Sequence, residues 1–315
     1  MIFGFNFAFY NYINIMKKLF LLILLFSFSY SFAQKIVLAT YQYADNNRLK
    51  NIQPLAQYLS DSLRLKVEIK SYASVHQFIA GIQNNEVDIA LINTFGYLLL
   101  ETATFKYQMN PYLVLKVKEG TENNYKTAFL SRNDFPDNHI MDIKKEASKF
   151  KLGLVNIGST SGNLIPRLKL AALGVHSPEN SFKSVEYCND HKNAVAMLLA
   201  GQVDICTVGS TEYFNLLADT AQAKFIKLLW LSTEIPLGPV LLHNNLSVKV
   251  KQKIVNHLLL LERSSPSTLD AIKSGWSEAK QAEKYIKIDR SYYSDFKSQF
   301  GDKNSMEKIL KQFAN

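Results

Sequence analysis

A chain of 315 residues, 47% of them hydrophobic, is long enough for one large or two ordinary domains, each with a full core. The formal net charge is +9, but the lysines are scattered, without the arginine-rich or aromatic-interleaved patch of a nucleic-acid binder, so the charge points no further than a small anionic ligand. Two cysteines are too few for a disulfide scaffold or a zinc site of paired cysteines, and the common enzyme motifs (metal triad, Walker loop, G-x-S-x-G elbow, dinucleotide fingerprint) are missing, so no catalytic residue, cofactor or metal is implied.

Met16-Lys17-Lys18 followed by "LFLLILLFSFSYSFA" has the basic, apolar and small-residue regions of a secretory signal. Residues 1–33 are read as that signal, cleaved after Ala33, with the segment before Met16 a misassigned start. The apolar run is short for a spanning helix and no cysteine follows it for lipid attachment, which predicts a protein exported in soluble form rather than an anchored one.

From Lys35 onward, apolar runs alternate with amphipathic stretches: "KIVLAT", "LKNIQPLAQYLSDSL", "KVEIKSY", "SVHQFIAGIQNN" and "VDIALIN". Such alternation predicts an α/β fold with mostly parallel sheets covered on both faces. The second half repeats it with "KLGLVN", "NLIPRLKLAALG", "SFKSVEYC", "KNAVAMLLAGQ" and "VDICTVG". A local echo, "FIAGIQNNEVDIALIN" against "MLLAGQVDICTVGS", falls at the same place in both halves and predicts two similar lobes. Asp88 and Asp204 of the two V-D-I turns are expected to accept backbone hydrogen bonds where strands begin.

The chain crosses between lobes at "YLVLKVKEGTENNYKTAFLS" and "LLWLSTEIPLGPVLLHNN", which divides it into 34–120 with 236–315, and 121–235. A helical tail from Ser247 packs back on the first lobe. Open α/β sheets bind ligands at the carboxyl ends of their parallel strands, so the loops "ALINTFGY" and "VGSTEYF" are expected to face each other across a cleft.

In "GSTSGNLIPRLKL", three small hydroxyl residues and two glycines precede a helix. A helix start exposes unpaired N–H groups and the positive end of the macrodipole, both of which favour an anion. Ser159, Thr160 and Ser161 can each add a hydrogen bond, Gly158 and Gly162 let backbone approach closely, and Pro166 suits a first turn. The grouping fits a tetrahedral oxyanion. One residue of the three acting as an ordinary N-cap is the plainer alternative.

"STSGNLIPRLKLAALGV" followed by "SVEYCNDHKNAVAMLLAGQVDICTVGSTEY" resembles the second lobe of the PhnD-like phosphonate, phosphite and phosphate binding proteins of ABC importers. The matching positions are Ser159, Thr160, Ser161, Gly162, Pro166, Arg167, His191, Gly201, Val203 and Asp204. "LKNIQPLAQYLSDSL" and "VDIALINTFGYLL" resemble the first lobe. The resemblance implies a two-lobed periplasmic binding protein of type II, with oxyanion oxygens held at Ser159 to Ser161 and a cleft lined by Tyr41 or Tyr43, Asn93, Thr94, Tyr97 and His191. It departs from the family at Asn93-Thr94-Phe95, where a small pair such as Gly-Pro is common, and in the tyrosine-rich "TYQYADN". The implied partners are a small anionic ligand and an inner-membrane ABC permease, for a monomer that binds no nucleic acid. The same fold as a sensor reporting to a receptor or kinase is the alternative.

One of Tyr41 and Tyr43 is expected in the cleft. His191 follows Asp190 and precedes an apolar helix, so it is either a helix-start or surface imidazole or a ligand group; as an imidazolium on the oxyanion it would weaken binding as pH rises. Glu212, on the loop after "ICTVG", is placed to hold an amino group of the ligand, whereas tyrosine and Phe95 closing over the site would favour phosphite or methylphosphonate, the preferred reading. Arg167, one turn past the anion site, braces the lobe. Cys188 and Cys206 form either one bridge or two buried thiols in neighbouring strands.

Overall fold

The computed structural model describes residues 16–17, 35–44, 46, 48–102, 107–118, 124–136, 138–299 and 303–313. Residues 1–35 and 36–315 are separate compact units. The expected signal segment and its cleavage point lie outside the described residues, apart from a helical Met16-Lys17.

Eleven strands are described: β1 Ile36–Tyr41, β2 Val67–Tyr72, β3 Ile89–Leu91, β4 Met109–Val117, β5 Thr127–Arg132, β6 Lys151–Leu154, β7 Ser184–Tyr187, β8 Ile205–Gly209, β9 Ile226–Leu231, β10 Pro239–His243 and β11 Ala282–Lys287. They form two sheets, ordered β11-β4-β10-β3-β1-β2 and β7-β6-β8-β5-β9. Parallel pairing is confined to the βαβ half of each sheet, where β1 pairs with β2 and β3, and β6 with β7 and β8. The strands that carry the chain between sheets, β4, β5, β9 and β10, join antiparallel, as does β11. Each sheet is therefore mixed, because a strand that returns from the other lobe enters from the opposite end.

The helices between parallel strands follow from their apolar spacing. In Leu49–Leu63 the buried residues Ile52, Leu55, Ala56, Leu59 and Leu63 recur at three- and four-residue intervals and form one stripe against the sheet. Ser74 caps the helix Val75–Gln83 by accepting from Gln77 N, and Asp190 caps His191–Leu199 by accepting from Asn193 N at 2.8 Å. The V-D-I echo is a repeated clamp. Asp88 Oδ2 accepts from Val37 N at 2.8 Å, and Asp204 Oδ2 accepts from Lys151 N at the same distance, so each carboxylate ties the start of one strand to the first strand of its βαβ half.

The tail helices Val248–Leu259 and Pro266–Gly275 bury Ile254, Val255, Leu258, Leu269 and Ile272 in the core of the first sheet, as expected. That core also takes in Leu164, Ile165 and Leu168 from the second lobe, so the two lobes share apolar contact along one side. Cys188 and Cys206 are free, buried thiols. They are not in neighbouring strands: β6 lies between, and a Cβ on Gly153 would stand 3.1 Å from Cys188 Sγ and 3.4 Å from Cys206 Cβ. Two strand spacings, roughly 9–10 Å, exceed disulfide reach. Among the described residues, no helix is long and apolar enough to cross a membrane, and no group of three His, Cys, Asp or Glu side chains is arranged to hold a metal.

Candidate ligand-binding site

The turn after β6 is wider than an α-helical start. Ser159 Oγ accepts from Gly162 N at 3.0 Å, while Leu164 N reaches back five residues to Ser159 O at 3.0 Å, a π-turn that opens into the helix Ile165–Ala172. Pro166 has no N–H to offer Gly162 O, and that carbonyl accepts instead from Val155 N at 3.0 Å and Thr207 Oγ1 at 2.9 Å. Ser161 O accepts from Thr127 Oγ1 at 2.9 Å. Gly162 is thus a packing requirement rather than a point of ligand approach: a Cβ there would lie 2.4 Å from Val155 Cγ2. Its amide and that of Ser161, which donates to the Tyr125 hydroxyl at 3.2 Å, are committed inside the protein. Side chains, more than these amides, face the ligand space.

Across from this turn, Asn93 Oδ1 accepts from Gly96 N at 2.9 Å, which caps the helix Thr94–Thr102. Its Nδ2 donates across the lobes to Gly158 O at 2.9 Å, and Phe95 N donates to Thr160 Oγ1 at 3.0 Å. Gly158 permits the approach, since a Cβ would stand 2.6 Å from Val75 Cγ1. The two lobes are hydrogen-bonded to each other here.

Between them lies a cavity of about 140 Å³. The second lobe contributes Tyr125, Ser159, Thr160 and His191. The first contributes Tyr43, Asn46, Arg48, Asn93, Ser274, Gly275, Ser277 and Glu278. Of the residues singled out from sequence, Tyr43, Asn93, Ser159, Thr160 and His191 are brought together here. Ser161 stands just behind, fully buried; its Oγ and His191 Nε2 lie 3.2 and 3.8 Å from the point where a Gly209 Cβ would be.

The alternative of Tyr41 or Tyr43 falls to Tyr43, and three expectations are corrected. Tyr41 ends β1 in the core, stacked on Phe78 at 5.9 Å, and it is Tyr43, two residues on, that lines the cavity. Thr94 spends its hydroxyl on Pro236 O at 2.6 Å, in the return crossing. Tyr97 packs on Tyr293 with ring centroids 4.8 Å apart, because "NTFGY" is the first turn of a helix and turns that ring away from the cavity. Glu212 also lies on a helix, Ser210–Ala218, that starts directly after β8, and so does not line the cavity; burial raises its carboxyl pKa, with Lys192 opposing.

His191 departs from expectation in its protonation. Gly209 N donates to its Nδ1 at 3.0 Å, so that nitrogen carries no proton and the neutral ring keeps its hydrogen on Nε2. Burial holds its pKa down to about 4, partly offset by Asp190. The residue is therefore a neutral donor at physiological pH. Burial likewise raises the Tyr43 and Tyr125 pKa values, leaving both as hydroxyl donors.

A second, larger cleft of about 720 Å³ opens outside Tyr41 and Tyr43. Its charged groups are already satisfied: Arg167 donates to Asn163 Oδ1 at 2.8 Å, to Glu179 through both terminal nitrogens, and to the Tyr187 hydroxyl at 2.8 Å. Arg167 braces the lobe. Tyr43 and Arg48 line the smaller cavity, and Tyr41 and Tyr43 the larger; Tyr43 OH, Arg48 Nη1, Tyr41 OH and Ser161 Oγ are buried without a hydrogen-bond partner among the described residues. Unpaired buried donors are costly and call for an acceptor with several oxygens.

The family described as ABC transporter, phosphonate, periplasmic substrate-binding protein matches residues 38–293. The chain belongs to that family. Its similarity to the phosphonates-binding periplasmic protein of Escherichia coli (strain K12) is 26% identity over 226 residues, covering 71% of this chain and 65% of the relative, so the match spans under two thirds of that protein. Among solved structures, the fold is similar to a binding protein component of an ABC phosphonate transporter from Pseudomonas aeruginosa, with a TM-score of 0.63 and 19% identity over 90% of this chain and 96% of the other. It is also similar to PhnD1 from Prochlorococcus marinus in complex with methylphosphonate, with a TM-score of 0.63 and 16% identity over 89% and 98% of the two chains.

Within this substrate-binding fold the residue that sequence reasoning missed is Arg48. Its side chain is 3% exposed, its Nε donates to Gly275 O at 2.8 Å, and its guanidinium lies 4.7, 5.3 and 4.6 Å from the ring centroids of Tyr41, Tyr43 and Trp276. Stacking and one backbone bond hold the group rigid, and Nη1 is buried without a hydrogen-bond partner among the described residues. "NNRLKNIQ" reads as a basic helix start, and nothing local signals that Gly275 and Trp276 close over it. Tyr125 was missed too, because it lies in a crossing segment. Together these groups can bind an anion by donation from both lobes.

Proposed function

We propose that the protein is a periplasmic substrate-binding protein that captures a phosphorus oxyanion (phosphonate, phosphite or phosphate) and delivers it to an ABC permease in the inner membrane. The observation that supports this most is the convergence on one small inter-lobe cavity of Arg48, Tyr43, Ser159, Thr160, Tyr125 and neutral His191, with buried donors among them unpaired. The cavity is small, about 140 Å³, which suits a PO₃ group with a short substituent. Binding exchanges water for hydrogen bonds from both walls, and ligand selects the closed arrangement.

On this reading residues 34–120 with 236–315 and residues 121–235 are the two lobes, 1–33 is removed on export, and the protein acts as a monomer that carries out no chemistry. The test is a thermal-shift panel of phosphate, phosphite, methylphosphonate and 2-aminoethylphosphonate, backed by calorimetric titration. Stabilisation by at least one of the four with 1:1 stoichiometry is expected. No stabilisation by any of them would refute the proposal.

A further inference from the structure

We propose that Glu278 is the specificity determinant of this cavity: its carboxylate accepts a hydrogen from the ligand, so the favoured phosphorus oxyanion carries a hydrogen-bond donor as well as its negative oxygens. The inference rests on the oxyanion reading above.

Glu278 is the one carboxylate among the residues lining the cavity, the place that sequence reasoning had assigned to Glu212. It sits in the 3₁₀ turn Ser277–Ala279, directly after the helix Pro266–Gly275 whose last carbonyl holds Arg48 Nε at 2.8 Å. One short segment therefore supports both the buried cation and the acid. Glu278 is also close to hydroxyls of both lobes. After burial, which dominates in each case, its charge helps to raise the Tyr41, Tyr43 and Tyr125 pKa values.

An ionised carboxylate only accepts hydrogen bonds. Set against a fully ionised oxyanion, it places acceptor against acceptor and repels the charge that Arg48 and the Ser159 turn attract. A donor on the ligand reverses that sign. Two kinds of ligand supply one: an ammonium on a short arm, or the P–O–H of a singly ionised group. Arg48 and His191 line the same cavity as Glu278, its charge reaches Tyr41, Tyr43 and Tyr125, and Tyr285 shares its other pocket. An arginine is cationic throughout the neutral range, burial keeps the four tyrosines protonated, and His191 is neutral above about pH 4. A change in binding between pH 6 and pH 8 that depends on Glu278 therefore reports the ligand's own proton.

The experiment is calorimetric titration of 2-aminoethylphosphonate and methylphosphonate at pH 6 and pH 8 with wild type, Glu278→Gln and Glu278→Asp, each first checked for an unchanged melting transition. If an ammonium is the donor, wild type prefers 2-aminoethylphosphonate about tenfold or more at both pH values and Glu278→Gln erases the preference. If P–O–H is the donor, wild type binds methylphosphonate several-fold tighter at pH 6, and Glu278→Gln removes that pH dependence. Glu278→Asp keeps the charge and shows a weakened form of whichever pattern holds, which separates the interaction from a folding defect. A ligand ratio and a pH ratio both unchanged in Glu278→Gln overturn the proposal. If Ser159→Ala/Ser161→Ala still loses affinity in that case, the oxyanion reading stands alone; if wild type binds neither compound, both fall.

Discussion

His191→Asn removes one donor from the cavity while leaving the local backbone satisfied. The imidazole does two things: Nδ1 accepts from Gly209 N at 3.0 Å, and Nε2 keeps the ring's hydrogen for the cavity that His191 lines. Asparagine Oδ1 takes over the first and its amide stops short of the second. Losing a hydrogen bond to a charged oxygen costs about 1.5–3 kcal/mol, so methylphosphonate affinity should fall roughly 10- to 150-fold. Because the donor is a neutral ring, the ratio of wild-type to variant affinity should be the same at pH 6 and pH 8. Stability, in contrast, should depend on pH through this residue. With its folded pKa down at about 4 against an unfolded value near 6.5, the unfolded chain binds the proton first as pH falls. The stability held above pH 6.5 is then lost progressively down to about pH 4, by up to about 3 kcal/mol, and His191→Asn should flatten that decline. Calorimetry at two pH values and denaturant melts between pH 4 and pH 7 provide the readouts. An affinity loss several-fold larger at pH 6 than at pH 8 would mean that the imidazolium binds the ligand and would refute the neutral-donor account.

Gly162→Ala should lower the melting temperature, since its Cβ would overlap Val155 Cγ2 at 2.4 Å; overpacking of about 1–3 kcal/mol amounts to roughly 2–4 °C per kcal/mol in a chain of this size. An unchanged transition would count against the close packing of the turn. Thr160→Val removes the acceptor of the Phe95 N–H across the lobes, and small-angle scattering of the ligand-free variant should report a more open form than wild type; identical profiles would show that this bond does not hold the lobes together. Cys188 and Cys206 should both resist alkylation in the native protein and both react in denaturant, with no effect of reductant on stability, because burial raises the Cys188 pKa to about 11 and keeps Cys206 protonated as well. A mass two daltons short of the dithiol form would contradict this.

Much of the fold is legible because its signals are local. Apolar spacing marks the helix Leu49–Leu63 and its counterparts, and the V-D-I turns mark the same strand clamp in both lobes. Strand direction was less legible: β5 and β9 look like any apolar run, and only the return of the chain from the other lobe makes their pairing antiparallel. The anion-side turn at Ser159 and Thr160 could be read for the same local reason, as a cap and its glycines lie within five residues. Tyr97 and Glu212 stand away from the cavity because helices, not loops, begin at Thr94 and Ser210, and helical phase decides where each side chain points. Arg48 and Glu278 were invisible. Their meaning depends on Gly275 and Trp276 meeting a segment more than two hundred residues earlier in the chain, which no window of sequence contains.

The central claim is that the turn beginning at Ser159, together with the opposite wall, binds a phosphorus oxyanion. Ser159 Oγ caps the turn through Gly162 N, and Ser161 Oγ lies buried without a partner among the described residues, so the double variant Ser159→Ala/Ser161→Ala removes two hydroxyls and little packing volume. Titration of methylphosphonate into wild type and this variant, with melting curves recorded beside it, is the most direct measurement. One-to-one binding to wild type is expected, with an affinity loss of about 1–3 kcal/mol in the double variant, and the lost Ser159 cap lowers stability by about 0.5–2 kcal/mol without unfolding the chain. Equal affinity in wild type and a folded double variant would contradict it.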